Sequence, residues 1–200
     1  MNPYENNYSE ILKIIFDYLV TILCLIILSP VIIILAISII VTGNGPFIYT
    51  QKRIGLYGRT FLIYKFRSMN SEKDQDFILL SDRNDIRITP LGRFMRKHKL
   101  DEIPNFINVI KGDMSIIGPR PEQQFYIDQI IKKDPRYKNL QLIKPGITSW
   151  GQVKYGYAKN VEEMIKRMEY DLFYLENRSI RFDLKIAFYT LGIILSGKGT

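Results

Sequence analysis

An uninterrupted run of 24 uncharged, mostly apolar residues, 18–41, limits the fold of this chain more than any other feature. At ~1.5 Å per residue, a helix of that length could cross a hydrocarbon core of ~30 Å. The run is too long for the apolar segment of a secretory signal, its leader is acidic, and no A-x-A cleavage site follows it. We therefore predict a retained membrane helix, the alternative being a buried helix in a soluble core.

The pair Ser29-Pro30 lies near the middle of this run. Proline removes one helical hydrogen bond and clashes with the preceding turn, so we expect a kink there. A kinked helix that spans the membrane and a re-entrant helix that enters and leaves by one face both fit this pattern. In either case, the basic residues that follow place the next domain on the cytoplasmic side. These residues are Lys52, Arg53, Arg59, Lys65 and Arg67.

The net charge of +8 is unevenly placed along the chain. Residues 1–17 carry one lysine against three acids, so the remainder is strongly basic. A basic domain beside a membrane favours anionic lipid or phosphorylated small molecules as partners. The aromatic residues follow helical spacing and form no obvious stacking platform, so nucleic acid is not expected as a partner. One cysteine, Cys24, and one histidine, His98, exclude a disulfide framework and a Cys/His zinc site.

The remaining patterns predict an α+β fold that is mostly helical. Residues 47–49 and 61–64 indicate a short β-hairpin, and residues 70–86 indicate a long loop. Apolar residues at helical spacing predict a helix from residue 89, a second one ending near Gly112, and three more. The last three cover residues 122–133, 161–175 and 182–195. The final helix could belong to the core or could lie on the bilayer. We predict a membrane-inserted region at residues 1–45 and a cytoplasmic catalytic domain at residues 46–200.

Asp101 and Glu102 are expected at the start of the second of these helices. Acids there are commonly favourable partners of the helix dipole and nothing more. The functional alternative is that helix N–H groups and the basic stretch 87–99 keep Asp101 ionised. An ionised carboxylate can attack phosphorus or bind Mg²⁺.

Arg120 lies between Pro119 and Pro121, which fix the backbone on both sides. Its guanidinium could be presented bidentately to a phosphate. The alternative is a structural ion pair.

Three segments together resemble the bacterial sugar transferase family, the monotopic polyprenyl-phosphate glycosyl-1-phosphate (phosphoglycosyl) transferases. They are residues 63–69 (IYKFRSM), residues 100–121 (LDEIPNFINVIKGDMSIIGPRP) and residues 144–148 (KPGIT). The Ser29-Pro30 helix is similar to the re-entrant membrane helix of that family. The resemblance implies a location in the bacterial inner membrane, with the catalytic domain and both chain ends facing the cytoplasm.

The resemblance also implies a reaction in two steps, which would begin surface glycan assembly. Asp101 would attack the sugar-bearing phosphorus of a UDP-sugar, release UMP and hold a phosphosugar until polyprenyl (undecaprenyl) phosphate accepts it. Such enzymes use Mg²⁺, which Glu102 together with Asp101 would help hold. Candidates for binding the phosphates are Lys65, Arg67, Arg96 and Arg120.

The chain departs from the family pattern T-G-W-A-Q-V at residues 148–153, which read T-S-W-G-Q-V. Exchanging glycine between positions 149 and 151 shifts backbone freedom and could move a loop that faces substrate. Any role of Trp150 or Gln152 stays open for that reason. Such departures concentrate at residues 144–157, which we interpret as the sugar-selecting region.

Two other functions fit the same residues. One is a metal-dependent phosphohydrolase that uses Asp101 and Glu102 on lipid-linked or nucleotide phosphates. The other is a basic membrane-tethered binding module without enzymatic activity. The sequence leaves open which sugar is used and whether the chain forms a homodimer.

Overall fold

The computed structural model describes residues 10–42, 45–70 and 85–197. The helices are α1 (Glu10–Val41), α2 (Pro90–Lys97), α3 (Asn105–Ile110), α4 (Gln124–Lys133), α5 (Tyr137–Leu140), α6 (Trp150–Lys154), α7 (Val161–Glu176) and α8 (Ile180–Leu195). The strands are β1 (Ile48–Ile54), β2 (Thr60–Phe66), β3 (Ser115–Ile117) and β4 (Gly146–Thr148). The mostly helical fold with a small hairpin is confirmed. Most of the predicted loop at residues 70–86 lies outside the described residues, and the division at residue 45 stays a prediction.

Helix α1 begins at Glu10, eight residues before the apolar run, and contains 32 residues. Within the described chain it is the one helix that is long and apolar enough to cross a membrane. Only 11% of its most apolar window is buried in the protein, so the alternative of a soluble core helix is wrong. The exposed apolar surface of α1 is compatible with association with a membrane.

Pro30 lies inside α1, and the helix continues through it. Because proline has no N–H, the carbonyl of Ile26 loses its usual helical donor. The Ser29 hydroxyl donates a hydrogen bond of 2.8 Å to that carbonyl. Ser29 therefore satisfies the group that Pro30 leaves unbonded, as serine does in membrane helices. The helix is continuous at Pro30, and both the expected kink and re-entry stay proposals.

Both ends of α1 pack against the same globular body. Near its C-terminal end, Leu35 and Ile39 join a buried cluster with Phe66, Met95 and Ile103. Near its N-terminal end, the Lys13 ammonium contacts the carboxylates of Asp17 at 2.8 Å and Asp183 at 3.0 Å. These three side chains, which we call the Lys13 cluster, are almost completely buried. The globular body therefore holds α1 by polar contacts at one end and by apolar contacts at the other.

The predicted hairpin is confirmed with longer strands than expected. β1 and β2 pair antiparallel from Ile48↔Phe66 to Ile54↔Thr60. The hairpin carries Lys65 on β2 toward the turn between α2 and α3.

A second, parallel pair between β3 and β4 was not predicted. The two backbones approach each other closely at Gly118 and Gly146. A Cβ on Gly146 would lie 2.1 Å from the Gly118 nitrogen, so only glycine permits this approach. Two segments that are distant in the sequence, 112–121 and 144–148, therefore lie side by side.

The C-terminal helices close the core. Met168, Leu172 and Leu175 of α7 are buried, as the periodicity predicts. On α8, however, the predicted apolar positions are 52–82% exposed, so they are not core residues. These positions are Leu184, Phe188, Leu191 and Leu195. The buried face of α8 is formed by other residues, such as Asp183 and Ile186.

Candidate active site

Asp101 and Glu102 lie in a 3-10 turn, Leu100–Glu102, between α2 and α3. The prediction that they begin an α-helix is wrong by a few residues, since α3 begins at Asn105. Lys99, which precedes the turn, has a φ of 54°, a conformation that is uncommon for residues with a Cβ. This left-handed residue reverses the chain and directs the two carboxyl groups into the protein, where Asp101 is only 8% exposed.

Two cationic side chains from different elements contact Glu102. The Lys65 ammonium of β2 lies 2.7 Å from its Oε1, and Arg120 Nη1 lies 3.5 Å from the same oxygen. Two of the predicted phosphate-binding residues are therefore brought to the predicted carboxyl pair.

The two neighbouring carboxyl groups have opposite electrostatic environments. Burial acts to raise the pKa of Glu102, but Lys65, Arg120 and Lys99 outweigh it and hold the pKa well below its usual range. Burial raises the pKa of Asp101, and the opposing charge of Lys65 does not compensate. Burial therefore opposes the ionisation of Asp101 that the basic neighbours favour, and whether Asp101 is ionised stays a prediction. Environments that separate two adjacent pKa values are typical of acid and base pairs in active sites.

A buried carboxylate behind Arg120 went unrecognised in the sequence. Glu122 contacts Arg167 of α7 at 2.5 Å and Arg53 of β1 at 3.2 Å, and Arg120 Nε lies 3.9 Å from it. Glu122 is 3% exposed, and the three positive charges lower its pKa although burial acts to raise it. We call these four residues the Glu122 network. The only signal in the sequence is an acid directly after G-P-R-P, which is equally typical of a helix start.

Lys99 adds one more cation to this region. Burial lowers its pKa, and the charges of Glu102, Arg120, Lys65 and Asp101 all act on it. Cationic side chains therefore outnumber the carboxyl groups that they face, five to three. They are Arg53, Lys65, Lys99, Arg120 and Arg167 facing Asp101, Glu102 and Glu122. Such a surplus attracts phosphate groups.

The other predicted phosphate ligands lie around this centre. Arg96 Nε donates 2.9 Å to the Ser68 hydroxyl, and its charge also acts on Asp101. Arg67 Nε donates 2.8 Å to the Pro46 carbonyl, and its guanidinium lies 5.9 Å from the Tyr49 ring centre. Arg67 is therefore directed toward the start of β1.

The departures at residues 148–153 have a packing explanation. The Gly151 amide donates 2.7 Å to Asp171, and a Cβ at this position would lie 2.8 Å from both Asp171 and Arg167. Glycine therefore allows α6 to approach α7 closely, and its φ is not left-handed. Burial raises the pKa of Asp171 to about 6. The Gly151 amide opposes this rise.

Trp150 and Gln152 flank this glycine. Trp150 is buried between Phe182 and Tyr189, with ring centres 5.1 and 6.0 Å away, and so belongs to the core. Gln152 Oε1 is buried without a hydrogen-bond partner among residues 10–42, 45–70 and 85–197. From the predicted sugar-selecting region, Tyr157 acts electrostatically on Arg120. The sugar-selecting role itself stays a prediction.

The donor atoms of the site fit Mg²⁺. The ion prefers oxygen ligands and is usually held by one or two carboxylates together with water and substrate phosphates. Within the described ranges, no group of three or more His, Cys, Asp or Glu residues could hold a metal ion, so two carboxylates are the available charged donors. Asn105, three residues after Glu102, is buried, and its Oδ1 has no hydrogen-bond partner in that part of the chain. That oxygen is of the type that Mg²⁺ prefers.

Comparisons with known proteins identify relatives over most of the chain. The family model described as bacterial sugar transferase matches residues 8–197. A UDP-N-acetylgalactosamine-undecaprenyl-phosphate N-acetylgalactosaminephosphotransferase of Aeromonas hydrophila is 39% identical over 92% of this chain and 43% of its own length. A UDP-glucose:undecaprenyl-phosphate glucose-1-phosphate transferase of Escherichia coli is 37% identical over 92% of this chain and 40% of its own length.

The chain spans about two fifths of the length of those relatives. An uncharacterized sugar transferase of Bacillus subtilis is closer in size. It is 38% identical over 94% of this chain and 90% of its own length.

Proposed function

The chain belongs to the bacterial sugar transferase family, and we propose that it transfers a sugar 1-phosphate from a UDP-sugar to undecaprenyl phosphate in a membrane, releasing UMP. The observation that carries this proposal is the buried Asp101 beside a cluster with surplus positive charge, on a body that also holds an apolar helix. A site that only binds anions gains nothing from a buried carboxyl group. A carboxylate nucleophile, in contrast, needs neighbouring cations to hold the phosphates that it attacks.

In the proposed first step, an Asp101 carboxylate oxygen attacks the phosphorus that bears the sugar. A bond from Asp101 to phosphorus forms, and the bond from phosphorus to the UMP oxygen breaks, so that UMP leaves with the bonding electron pair. In the second step, a phosphate oxygen of undecaprenyl phosphate attacks the same phosphorus and the Asp101 carboxylate leaves. The attacking form of Asp101 is the carboxylate, and burial raises the pKa of this group.

The cations stabilise the negative charge that develops on the transferred phosphoryl group. Lys65 and Arg120 both contact Glu102, and this convergence supports the proposal that they bind a phosphate of the substrate. Mg²⁺ held by Glu102, Asp101 and substrate oxygens would neutralise further phosphate charge and orient the leaving group. Asn105 would supply an uncharged oxygen to the same ion.

We further propose that α1 is re-entrant and that the globular body faces the cytoplasm of a bacterial inner membrane. A 32-residue helix is ~48 Å long, and a body on one side of a bilayer does not reach both ends of such a helix if the helix crosses. The contacts of Lys13 near one end and of Ile39 near the other support re-entry. The basic residues of the hairpin support the cytoplasmic side.

The experiment that tests the function uses intact-protein mass spectrometry. The full chain, in nanodiscs with Mg²⁺ and without undecaprenyl phosphate, is incubated with a panel of UDP-sugars. The expected result is an added mass of one sugar phosphate for one preferred sugar, with release of one equivalent of UMP. Adding undecaprenyl phosphate should remove the adduct and allow turnover.

Two other results would contradict the proposal. UMP or phosphate production that is equally fast without undecaprenyl phosphate would indicate a phosphohydrolase. No UMP release with any UDP-sugar, with or without the lipid, would favour a membrane-tethered binding module.

Replacing Glu122 tests whether it positions Arg120. In Glu122→Gln, three guanidinium groups lose the carboxylate that they share, and we expect kcat/KM for the UDP-sugar to fall by ~10- to 100-fold. Glu122→Asp, which keeps the charge, should recover part of this loss. The measurement is steady-state UMP release, with the folded fraction determined by thermal unfolding.

The matched control is Glu176→Gln, because Glu176 is exposed at the end of α7. It should leave kcat/KM unchanged within twofold. A loss in Glu122→Gln that is fully explained by a lower folded fraction would show that Glu122 is purely structural.

A further inference from the structure

We propose that Lys99 binds the phosphate that is exchanged during the transfer, first that of the departing UMP and then that of the lipid acceptor. This inference rests on the proposed function and divides the phosphates between different cations. Lys65 and Arg120, which contact Glu102, would hold the phosphoryl group that is transferred. The Lys99 ammonium would hold the phosphate monoester on the far side of the reacting phosphorus.

The Lys99 side chain differs from the other four cations of the site because it has no carboxylate partner. Each of the other four lies 2.5–3.5 Å from a carboxylate oxygen. Among the residues whose structure is described, the Lys99 ammonium forms no ion pair and no hydrogen bond. The charges of Glu102 and Asp101 nevertheless act on it, so it lies near the carboxyl pair. A cation in that position is available for an anionic substrate.

The backbone holds Lys99 in an unfavourable conformation. Its φ of 54° and ψ of 22° are left-handed, which residues with a Cβ seldom adopt. Hydrogen bonds on both sides maintain it, since the Lys99 amide donates 3.1 Å to the Arg96 carbonyl and the Glu102 amide donates 3.2 Å to the Lys99 carbonyl. Strained residues that the surrounding structure maintains concentrate at ligand-binding sites. The Lys99 side chain therefore starts from a fixed position beside the carboxyl pair.

The turn that carries Lys99 lies directly on the apolar helix α1. Leu100 and Ile103, which flank the carboxyl pair, pack in the apolar cluster that contains Leu35 and Ile39 of α1. Helix α1 is long and apolar enough to cross a membrane. A lipid whose chain stays in the bilayer therefore brings its phosphate to the side of the site on which Lys99 lies.

Arg120 reaches the carboxyl pair from the globular body instead. It follows β3, and its Nε lies 3.9 Å from Glu122, which also contacts Arg167 of α7 and is 3% exposed. Arg120 is therefore placed to hold a group that stays in the site through both steps, whereas Lys99 is placed at the side where one substrate replaces another.

The chemistry of the proposed transfer requires one position for both exchanged phosphates. In each step the attacking and leaving oxygens lie roughly in line through the phosphorus. UMP leaves opposite the Asp101 oxygen, so the lipid phosphate attacks from that same position and the bond from phosphorus to Asp101 breaks. A phosphate monoester carries a charge of about −1.5 to −2 at pH 7. Its repulsion with the transferred phosphoryl group is lowered by a cation at that position.

The test separates reactions of the adduct that need an incoming phosphate from one that does not. The full chain, in nanodiscs with Mg²⁺, is incubated with the preferred UDP-sugar until every variant has formed the adduct, and UMP is then removed. The adduct is allowed to react with undecaprenyl phosphate, with UMP, which reverses the first step, or with water alone. Intact-protein mass spectrometry gives the three rates.

In Lys99→Met, we expect the rates with undecaprenyl phosphate and with UMP, both below saturation, to fall by ~10- to 100-fold, the usual effect of losing a hydrogen bond to a charged group. The rate with water should stay within twofold of the native rate. Lys99→Arg should recover part of the loss. Lys99→Gly should show the same pattern as Lys99→Met, and it keeps the test valid if methionine impairs folding, because glycine adopts a positive φ freely.

The matched control is Lys97→Met, because Lys97 is an exposed lysine in the last turn of α2, two residues from Lys99. It should leave all three rates within twofold of the native ones. An equal loss in Lys97→Met would overturn the proposal in favour of a general attraction of anions.

Three other results would overturn the proposal. Equal losses with undecaprenyl phosphate, UMP and water would place Lys99 on the transferred phosphoryl group. Unchanged rates with both phosphates would show that Lys99 binds neither, and a loss confined to one of them would exclude a shared position. Each of these results requires an adduct, whereas the absence of any adduct in the native protein would overturn the proposed function together with this inference.

Discussion

Asp101→Asn is expected to abolish formation of the phosphosugar adduct and to lower the rate of UMP release by at least ~1,000-fold. The amide preserves the shape of the side chain but has no electron pair that attacks phosphorus effectively. Because burial raises the pKa of Asp101, its charged form is disfavoured by the fold, so a neutral amide at this position should not destabilise the protein. The measurements are intact mass after incubation with the preferred UDP-sugar, UMP release, and the thermal unfolding temperature.

The matched control is Asp128→Asn, since Asp128 is exposed on α4 and accepts a hydrogen bond from Gln124. It should form the adduct at the native rate. Loss of turnover in Asp101→Asn with an adduct still present would move the nucleophile to another residue. A fall of less than tenfold would argue against covalent catalysis by Asp101.

The same aspartate predicts how the activity of the native protein depends on pH. The attacking form is ionised, so kcat/KM is retained above the pKa of Asp101 and lost as the pH falls through it. Because burial raises that pKa, the acidic loss should begin at a higher pH than for an exposed aspartate, whose pKa is ~3.9. Single-turnover adduct formation measured across the acidic range checks this sign.

Lys13→Met is expected to destabilise the protein by ~3–5 kcal/mol, because it leaves the buried carboxylates of Asp17 and Asp183 without their shared cation. The Tyr174 hydroxyl and the Ile116 amide still donate to these carboxylates but carry no positive charge. At ~2–4 °C per kcal/mol for a chain of this size, the unfolding temperature in nanodiscs should fall by roughly 6–20 °C.

Lys133→Met is the matched control for this change. Lys133 also forms an ion pair, with Glu162, but both side chains are more than half exposed. Exposed pairs contribute ~0–1 kcal/mol, so the control should shift the unfolding temperature by no more than ~4 °C. Equal shifts in the two variants would show that burial does not strengthen the Lys13 cluster.

Local patterns predict much of this fold from the sequence. The apolar run, the hairpin and the spacing in α7 each depend on neighbouring residues alone, so periodicity identifies them. The sequence places Asp101 at the start of an α-helix, whereas the structure places it in a 3-10 turn that follows the left-handed Lys99. No residue type in the sequence indicates the left-handed conformation of Lys99. The exposed apolar residues of α8 have the same spacing as the buried residues of a core helix. Only the packing of the whole structure shows which face of such a helix is buried.

The electrostatics of the site could not be predicted in the same way. Asp101 has many basic neighbours in the sequence, but its pKa depends on burial, which the whole fold determines. Glu122 contacts Arg53 and Arg167, which are far from it in the chain, so its role is absent from any local pattern. The resemblance to a family identified Asp101, Glu102 and Arg120 as candidates without this information, because these residues lie in motifs; their roles stay predictions.

The span of the Glu122 network has a consequence for synthesis of the protein. Arg53 and Arg167 are 114 positions apart, so the ribosome needs roughly 6–23 s to add the second after the first, at ~5–20 residues per second. During that time α1 leaves the ribosome, while Glu122 still lacks Arg167 of α7. We expect a nascent chain arrested before α7 to be bound to membranes but unable to form the adduct. Membrane targeting would then precede catalytic competence on every molecule made.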